Sequence, residues 1–213
     1  MDAQLLTVGP IQENCYLVRA SKDASRAVLV DPGEEAPRIL AALEATGATL
    51  DGILVTHCHF DHIGAVAPVA RATGAEVWCP VGETEILADI MSYVPYAGFG
   101  PYESWQAEHS VTGGDRIELA GLTFDVIDTP GHSPGHVTYA VAGEDALFSG
   151  DVLFQGSIGR TDLPGGDLGT LLESIGTLLD GFPDKTVVHP GHMGLTTLGR
   201  ERATNPFLQS LAR

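Results

Sequence analysis

One short stretch constrains the fold and the chemistry of this chain more than any other. Residues 55–62 read Val-Thr-His-Cys-His-Phe-Asp-His and continue an apolar run that starts at Ile53, so three imidazoles and one carboxylate fall within six residues. The apolar run predicts a short buried strand, and the polar cluster predicts a loop at the end of that strand. Because binding and catalytic residues concentrate in loops held by a rigid scaffold, we expect this stretch to be the functional centre of the chain.

The residue types in this stretch point to a metal site. Imidazole and carboxylate groups together suit zinc, iron and manganese. His57 and His59 are two residues apart, and in an extended segment both side chains leave the same face, so both can reach one ion. Asp61 and His62 follow where the chain bends and are candidates for a second ion. Cys58 points away from its neighbours in such a segment, so we interpret it as a packed residue.

Length, charge and cysteine content limit the class of protein. With 213 residues the chain is long enough to bury a substantial core, and we predict a single domain over residues 1–213. The formal net charge of −17 argues against binding nucleic acid or an anionic membrane by bulk electrostatics. The three cysteines form no Cys-x-x-Cys motif and predict no disulfide framework. Since neither a signal peptide nor a membrane span is apparent, we expect a cytoplasmic protein.

Hydrophobic periodicity in the first half predicts alternating strands and helices. The predicted strands are residues 3–8, 14–20, 27–31, 51–56 and 76–79, and the predicted helices are residues 35–46, 63–73 and 82–91. Asp31 ends the third strand, where it is either a turn former or a group that orients a metal-bound histidine. Residues 92–110 mix aromatic residues with glycine and proline, so we expect an irregular segment that either lines a substrate pocket or packs as an apolar plug or subunit contact.

The second half repeats the pattern of strands followed by helices. The predicted strands are residues 115–119, 122–128, 136–142, 145–149 and 186–188, and the predicted helices are residues 167–180 and 198–211. Further candidate ligands lie at strand ends or in loops rich in glycine, namely His132, Asp151 and His192. Neighbouring glycine and proline residues hold the backbone so that a ligand approaches an ion at a set geometry. Three other histidines have no assigned role: His109, His136 and His189. The last two lie beside ligand loops, where we interpret them as structural residues rather than as groups that orient a ligand.

Together these motifs resemble the metallo-β-lactamase superfamily. The pattern His57-x-His59-x-Asp61-His62, followed by His132, Asp151 and His192, is similar to that superfamily in order and residue type over nearly the whole chain. The resemblance implies an α/β (α+β) fold, a four-layer αββα sandwich with the metals at one edge of the two sheets. It implies that one ion is bound by His57, His59 and His132, a second ion by Asp61, His62 and His192, and both by Asp151.

Within the superfamily the chain looks like the glyoxalase II branch, which hydrolyses acyl-glutathione thioesters. Residues 149–162 are similar to the segment after the bridging aspartate of that branch, and Arg160 falls where its members carry a lysine for the glutathione carboxylate. The resemblance implies two divalent ions (zinc, or iron or manganese) and a bridging hydroxide that Asp61 helps to orient. Two features depart from the branch: Asp162 replaces a tyrosine, and about twenty residues follow His192, as in short bacterial members.

A second class of enzyme stays open at this point. Persulfide dioxygenases carry a similar Gly-Arg-Thr-Asp element, here at 159–162, and bind one iron through two histidines and one aspartate, which would be His57, His132 and Asp151. Nucleases of the fold carry an extra domain and basic surfaces, which this sequence does not show. We expect a small-molecule thioester as the partner, no nucleic acid or membrane partner, and a monomer or small homo-oligomer.

Overall fold

Two six-stranded sheets packed face to face form the centre of the structure, a computed structural model that describes residues 1–209. In spatial order the first sheet contains β1 (Asp2–Val8), β2 (Glu13–Arg19), β3 (Arg26–Val30), β4 (Thr49–Leu54), β5 (Glu76–Pro80) and β6 (His109–Val111). Strands β1 to β3 pair antiparallel, and β3 to β6 pair parallel. The parallel strands end at the same edge, where the loop after β4 begins.

The second sheet is mostly antiparallel. Its strands are β7 (Arg116–Leu119), β8 (Leu122–Asp128), β9 (Val137–Val141), β10 (Ala146–Gly150), β13 (Val187–Pro190) and β14 (Thr196–Thr197). Among residues 1–209, β10 and β13 are the only strands of this sheet that pair parallel, so the loops after these two strands start at one edge. A separate two-stranded ribbon, β11 (Leu153–Phe154) with β12 (Ser157–Ile158), follows β10.

Helices cover the outer face of each sheet. They are α1 (Ala36–Thr46), α2 (Phe60–Ile63), α3 (Val66–Thr73), α4 (Thr84–Ala88), α5 (Ile90–Tyr93), α6 (Leu168–Gly181) and α7 (Leu198–Thr204), and a 3₁₀ turn spans Pro206–Leu208. Helices α1 and α3 share an apolar core with the first sheet, and α6 and α7 share one with the second. The expected αββα sandwich is therefore confirmed. No helix among the described residues has the length and apolar character needed to cross a bilayer.

Alternation along the strands builds the layers. Leu17 and Leu29 face the helices of the first layer, whereas Val18 and Val28 face the second sheet, because successive side chains of a strand point to opposite faces. Both faces of β2 are buried throughout, as expected for a strand enclosed between layers.

Several predicted boundaries were wrong. The helix predicted at 63–73 is two helices, and His62 lies inside the first of them, α2. The helix predicted at 82–91 is divided into α4 and α5 at Asp89, whose backbone is not helical. Strand β13 extends through His189 to Pro190 and is followed by β14, so the strand predicted at 186–188 is not the last one.

The remaining differences concern short elements. The short strands β6, β11 and β12 were not predicted. The segment 92–110 is irregular apart from the end of α5 and the start of β6. The helix predicted at 198–211 ends at Thr204, and positions 210 and 211 of that prediction lie outside the described residues.

Candidate metal centre

The seven predicted ligands meet at one edge of the two sheets. Each lies just after a strand: the loop after β4 and the adjoining α2 supply four, and the loops after β8, β10 and β13 supply one each. In that order they are His57, His59, Asp61, His62, His132, Asp151 and His192. Because β4 belongs to the first sheet and the other strands to the second, the cluster exists only when both halves of the chain are folded together.

His57, His59 and His132 form the first group of ligand atoms. The His59 Nδ1 atom lies 3.2 Å from His57 Nε2 and 2.8 Å from His132 Nε2. The second nitrogen of His132, Nδ1, donates to the carbonyl oxygen of Arg160 at 2.7 Å, which leaves the Nε2 lone pair directed at the group. The predicted first ligand set is therefore assembled around one point.

Asp61, His62 and His192 form the second group, and Asp151 lies between the two. His192 Nε2 is 3.3 Å from Asp61 Oδ2, and His62 Nε2 is 4.0 Å from the same oxygen. The Asp151 carboxylate lies 3.5 Å from His132 Nε2 of the first group, and 3.3 Å and 3.6 Å from His62 and His192 Nε2 of the second. Its position matches that of a carboxylate shared by two ions.

Two buried atoms at this centre have no hydrogen-bond partner within the described residues: His62 Nε2 and Asp151 Oδ1. Leaving buried polar atoms unpaired is costly, so a site that retains them needs a ligand there. Imidazole nitrogens and carboxylate oxygens are the donors that zinc, iron and manganese accept. The residues present therefore fit two divalent cations.

The electrostatics of the cluster suit ligands of a cation. Burial lowers the pKa of His59 to about 4 and lowers that of His57 well below its ordinary value, so both imidazoles are neutral at pH 7. Burial acts to raise the pKa of Asp151, but the positive charges at His62 and His192 outweigh it and hold the carboxylate ionised. Neutral imidazoles and ionised carboxylates are the forms that bind metal. Burial acts to lower the pKa of His62 and of His192, but the charge of Asp151 outweighs it and raises both, so these two imidazoles must give up a proton when a cation binds.

Asp31 orients two of the ligands from behind the site. Its Oδ2 atom accepts hydrogen bonds from His62 Nδ1 at 3.1 Å and from the Thr56 hydroxyl at 2.6 Å, and the Thr56 oxygen in turn accepts from His57 Nδ1 at 3.1 Å. Both imidazoles are thereby left with Nε2 free to face the ligand cluster. Of the two interpretations of Asp31, the structure favours the orienting one.

Of the three histidines without an assigned role, His136 touches the site. Its Nε2 accepts from the backbone N–H of Asp151 at 3.1 Å, and its Nδ1 donates to the Thr129 hydroxyl at 3.0 Å. Its ring stacks on that of His57, with centroids 4.8 Å apart. His109 instead stacks on Trp78 near the surface, and His189 packs between Tyr16 and Phe148.

Sequence reasoning missed a buried glutamate that joins two ligand loops. Glu83 Oε2 accepts from the backbone N–H of Cys58, and its Oε1 accepts from the Ser133 hydroxyl at 2.7 Å and from the Gly135 N–H at 2.9 Å. Cys58 lies between two ligands of the first group, and Ser133 follows the third. Cys58 itself is packed as predicted, with its sulfur 3.5 Å from that of Cys79.

A second buried glutamate lies next to the other group. Glu13 Oε1 is 3.8 Å from His62 Nδ1, and neither carboxyl oxygen has a hydrogen-bond partner within the described residues. Burial raises the pKa of Glu13 well above its ordinary value, which favours the neutral acid. No local pattern marks Glu13 or Glu83 in the sequence, because both act on residues distant along the chain.

A cavity of about 590 Å³ opens onto both groups of ligands. His59, Asp61, His132, Asp151 and His192 line it, together with Arg160. Tyr93 and Tyr96 of the irregular segment form part of its wall, whereas Phe99, Tyr102 and Trp105 of the same segment pack against the core of the first layer. Residues 92–110 therefore fit two of the interpretations that the sequence left open: one end of the segment lines the pocket, and the other end packs as an apolar plug.

Comparison with known proteins identifies relatives along the full length. Residues 8–192 match the family described as the metallo-beta-lactamase superfamily. The chain is 34% identical to the hydroxyacylglutathione hydrolase GloC of Haemophilus influenzae over 99% of both chains. It is 38% identical to the probable metallo-hydrolase YqgX of Bacillus subtilis over 97% of both chains.

Solved structures agree with this match. The BLEG-1 B3 metallo-beta-lactamase is 41% identical with a TM-score of 0.91, covering 98% of this chain and 100% of that one. TTHA1623 in a di-iron-bound form is 41% identical with a TM-score of 0.85, over 96% and 100% of the two chains. ETHE1 from Myxococcus xanthus is 30% identical with a TM-score of 0.77, over 97% and 84%.

Proposed function

The chain belongs to the metallo-beta-lactamase superfamily and is a metallohydrolase of it, and from that premise we propose that it hydrolyses thioesters, with S-lactoylglutathione as the type substrate. The observation that carries the proposal is the pair of ligand groups joined by the Asp151 carboxylate, which suits two ions rather than one. We assign the two ions to zinc, with iron or manganese as alternatives, and place the enzyme in the cytoplasm.

When bound, a pair of divalent cations supplies a hydroxide nucleophile near neutral pH and polarises the carbonyl under attack. The chain holds the ligands in place through Asp31, Thr56 and the carbonyl of Arg160. Burial acts to raise the pKa of Asp61, but its hydrogen bond with His192 and the charge at His62 outweigh burial and lower it. The ionised Asp61 carboxylate is the group that we assign to orient the attacking oxygen.

The similarity to hydroxyacylglutathione hydrolase GloC supports a thioester as the scissile bond. Because a thiolate leaves readily without protonation, the hydrolysis of a thioester needs no additional general acid. Arg160 lines the cavity beside the ligands, so it is the residue that we propose for contact with the substrate.

The proposal is tested by following the loss of thioester absorbance for a panel of thioesters that share an acyl group and differ in the thiol, S-D-lactoylglutathione among them. Protein loaded with zinc or with ferrous iron is compared with metal-free protein. We expect turnover that rises with metal and reaches its maximum at two equivalents. Failure of the dimetal protein to hydrolyse every thioester in the panel would contradict the proposal.

A second candidate is the mononuclear iron persulfide dioxygenase, and the likeness to ETHE1 from Myxococcus xanthus favours it. Its ligands would be His57, His132 and Asp151. On this candidate the second group of ligand atoms has no assigned role, although His192 and Asp61 are already within 3.3 Å of one another. Full activity with one iron, and oxygen uptake with glutathione persulfide, would favour the dioxygenase over the hydrolase.

A further inference from the structure

We infer that the preferred substrate is an uncharged thioester with an apolar arm, rather than a thioester of an anionic tripeptide thiol such as glutathione. The inference rests on the proposed thioesterase function: it keeps the thioester bond and replaces glutathione, the thiol of the type substrate, with an apolar thiol. Two observations support it: the wall of the 590 Å³ cavity is mainly apolar, and Arg160, a charged residue in that wall, is already paired with Asp162.

The mouth of the cavity is mainly apolar although it faces solvent, with the exposed Gln12 as a polar neighbour of Ile11. Ile11, Tyr93, Tyr96 and Met193 line it, and their side chains are 38%, 51%, 42% and 56% exposed. Contiguous apolar side chains left open to water around a cavity mark a surface that an apolar ligand covers. Here that surface adjoins the ligand cluster, since Met193 directly follows the candidate ligand His192.

The interior next to the ligand cluster is apolar as well. Phe154 and Ile158, from the β11–β12 ribbon, line the cavity and are almost fully buried. The Phe154 ring lies edge-on to that of His192, with centroids 6.0 Å apart. An arm of the substrate that extends from the metal centre along this side therefore meets hydrocarbon.

The aromatic wall is held in place before any substrate arrives. The ring of Tyr96 packs against Phe60 and Phe99, with centroid separations of 6.3 Å and 6.2 Å, and Phe60 packs on Phe99 at 4.8 Å. Because Phe60 begins α2, which carries two of the predicted ligands, the apolar wall and the metal centre share one support. A preformed wall binds an apolar arm without the entropic cost of ordering it.

Arg160 is the only charged residue that lines the cavity and is not a candidate ligand, within the chain from residue 1 to 209. Its Nε and Nη2 atoms donate to the two oxygens of Asp162 at 2.6 Å and 2.7 Å, and Nη1 donates to the Tyr96 hydroxyl at 3.4 Å. The Nε–Nη2 edge of the guanidinium, one of the two edges that can hold a carboxylate through a pair of hydrogen bonds, is therefore already occupied by Asp162.

A glutathione arm would bring two carboxylates into these surroundings. Each would lose hydration against a wall that is mostly hydrocarbon and whose polar side chains, such as Gln12 and Ser157, carry no charge to offset that of a carboxylate, which is unfavourable. An uncharged aryl or alkyl arm loses no such hydration and gains from burial against the same side chains. The cavity thus discriminates by charge, in favour of the neutral arm.

The test compares S-benzyl (R)-2-hydroxypropanethioate, the benzyl thioester of D-lactic acid, with S-D-lactoylglutathione. The two share the D-lactoyl group, and in both the leaving sulfur is bound to a CH2 group. On the dimetal protein we expect kcat/KM to be at least tenfold higher for the benzyl thioester. Binding is measured separately by calorimetry with the two thioether analogues, 1-(benzylthio)propan-2-ol and S-(2-hydroxypropyl)glutathione. We expect the benzyl analogue to bind more tightly.

Two variants test which residues of the cavity cause the preference for the uncharged thioester. Asp162→Asn releases Arg160, so we expect it to raise kcat/KM for S-D-lactoylglutathione several-fold and to leave the benzyl thioester unchanged. Ile11→Lys adds a cation at the mouth and is expected to shift the ratio of the two substrates towards glutathione, whereas Ile11→Gln, its uncharged control, is expected to shift it less.

The possible outcomes separate the two proposals. Equal or faster turnover of S-D-lactoylglutathione would overturn the apolar substrate class and leave the thioesterase function standing. If neither thioester is hydrolysed, the thioesterase function fails, but the binding measurement still tests the preference of the cavity for an apolar arm. Tighter binding of the benzyl analogue supports that preference, and equal or weaker binding overturns it.

Discussion

Asp151 occupies the position on which the two ligand groups depend. Its carboxylate lies within 3.6 Å of ring nitrogens from both groups, and one of its oxygens has no other partner among the described residues. A carboxylate so placed can bind two cations at once and reduce their mutual repulsion. The backbone N–H of the same residue is held by His136, so the main chain has little freedom to move the carboxylate away.

Asp151→Ala should therefore remove metal and activity together. We expect the isolated variant to retain at most one ion and its turnover to fall by more than about a hundredfold. That loss exceeds the roughly 10- to 100-fold loss that is typical when a residue that only orients a ligand is removed. Metal content by elemental analysis and thioester hydrolysis on the same sample measure both. Asp125→Ala, which removes an exposed aspartate paired with Arg116, is the control. Two bound ions with full turnover in Asp151→Ala would refute the bridging role.

Glu83 holds the first group of ligands without touching a metal. Its three hydrogen bonds reach the loop after β4 and the loop after β8, which belong to different sheets. Supporting groups of this kind keep the geometry of a site, and their loss lowers metal affinity. The structure thus assigns to Glu83 a positioning role for the first group.

In Glu83→Gln an amide nitrogen replaces one of the accepting oxygens and faces a donor. We expect the dissociation constant of the first ion to rise about 10- to 100-fold, measured by competition with a chromogenic chelator. Glu85→Gln, the same chemical change at an exposed position of α4, two residues after the N-cap residue Glu83, serves as the matched control. Equal affinities in the two variants would show that Glu83 does not position the site.

The residues that the sequence identified and those that it missed differ in one physical respect. The seven ligands share a local signature, a polar side chain directly after an apolar run or beside glycine and proline, as with His132. Glu83 and Glu13 have no such signature, because their burial and contacts depend on segments distant along the chain. The partners of Glu83 are 25 to 52 residues away, and Asn14, next to Glu13, bonds to Pro190 and Met193, which are 176 and 179 residues away. Contacts of this range appear only in the folded chain.

At the scale of elements, helix α6 is joined to the loop that carries His132. The N-cap residue Asp167 donates its backbone N–H to the Gly131 carbonyl at 2.8 Å, and the Ser174 hydroxyl donates to the Pro130 carbonyl at 2.7 Å. Gly131 has φ +128°, and a Cβ atom there would lie 2.3 Å from the backbone nitrogen of Leu171. The first turn of the helix and the ligand loop are therefore in direct backbone contact.

Gly131→Ala should disturb both the helix and the ligand. Since the added methyl cannot fit against the backbone of Leu171, we expect a loss of about 1–3 kcal/mol in the free energy of unfolding, together with weaker metal binding as His132 is displaced. Urea denaturation and chelator competition measure the two effects.

Gly143→Ala is the matched control for that change. Gly143 also has a positive φ, +79°, but no atom lies within 4 Å of the position of its added Cβ. We expect it to lose about 1 kcal/mol from backbone strain alone and to bind metal normally. If the two variants have the same metal affinity, the contact between α6 and the ligand loop does not support the site.

Element boundaries were predictable where an element is long and periodic. Helix α6 was predicted at 167–180 and spans Leu168–Gly181, because its leucines recur at helical spacing. Strands β11, β12 and β14 contain two residues each, which is too short for any periodic pattern. The interruption between α4 and α5 follows from the extended φ of Asp89, at −149°, in a sequence that reads as a continuous helix.

At the scale of the whole molecule, the metal centre joins the two sheets. Four candidate ligands come from the first sheet and α2, and three come from loops of the second sheet. The four layers were predictable from the resemblance to the superfamily. Strand periodicity alone could not predict how the strands are arranged in the two sheets, because it does not show which strands pair. A cation bound by both sets of ligands stabilises only the folded state in which the sheets are packed together.

Removing the metal should therefore lower global stability. With each free ion at 100 times its dissociation constant, binding contributes about 2.7 kcal/mol per ion to the free energy of unfolding. We expect a chelator to shift the urea midpoint to lower concentration by a corresponding amount, and re-addition of metal to restore it. If the urea midpoint is unchanged in protein that elemental analysis shows to be free of metal, the metal site does not stabilise the packing of the two sheets.

The hydrogen bonds between β2 and the loop after β13 also bear on how the chain is made. The Asn14 N–H donates to the Gly191 carbonyl at 2.7 Å, and the Tyr16 hydroxyl donates to the Pro190 carbonyl at 2.8 Å, so an early strand contacts the segment that ends in His192. A ribosome synthesises these segments some seconds apart, at about 5–20 residues per second. Throughout that interval the first ligands are present without the last one, so a complete centre, and with it the hydrolytic activity, arises only after His192 has been made.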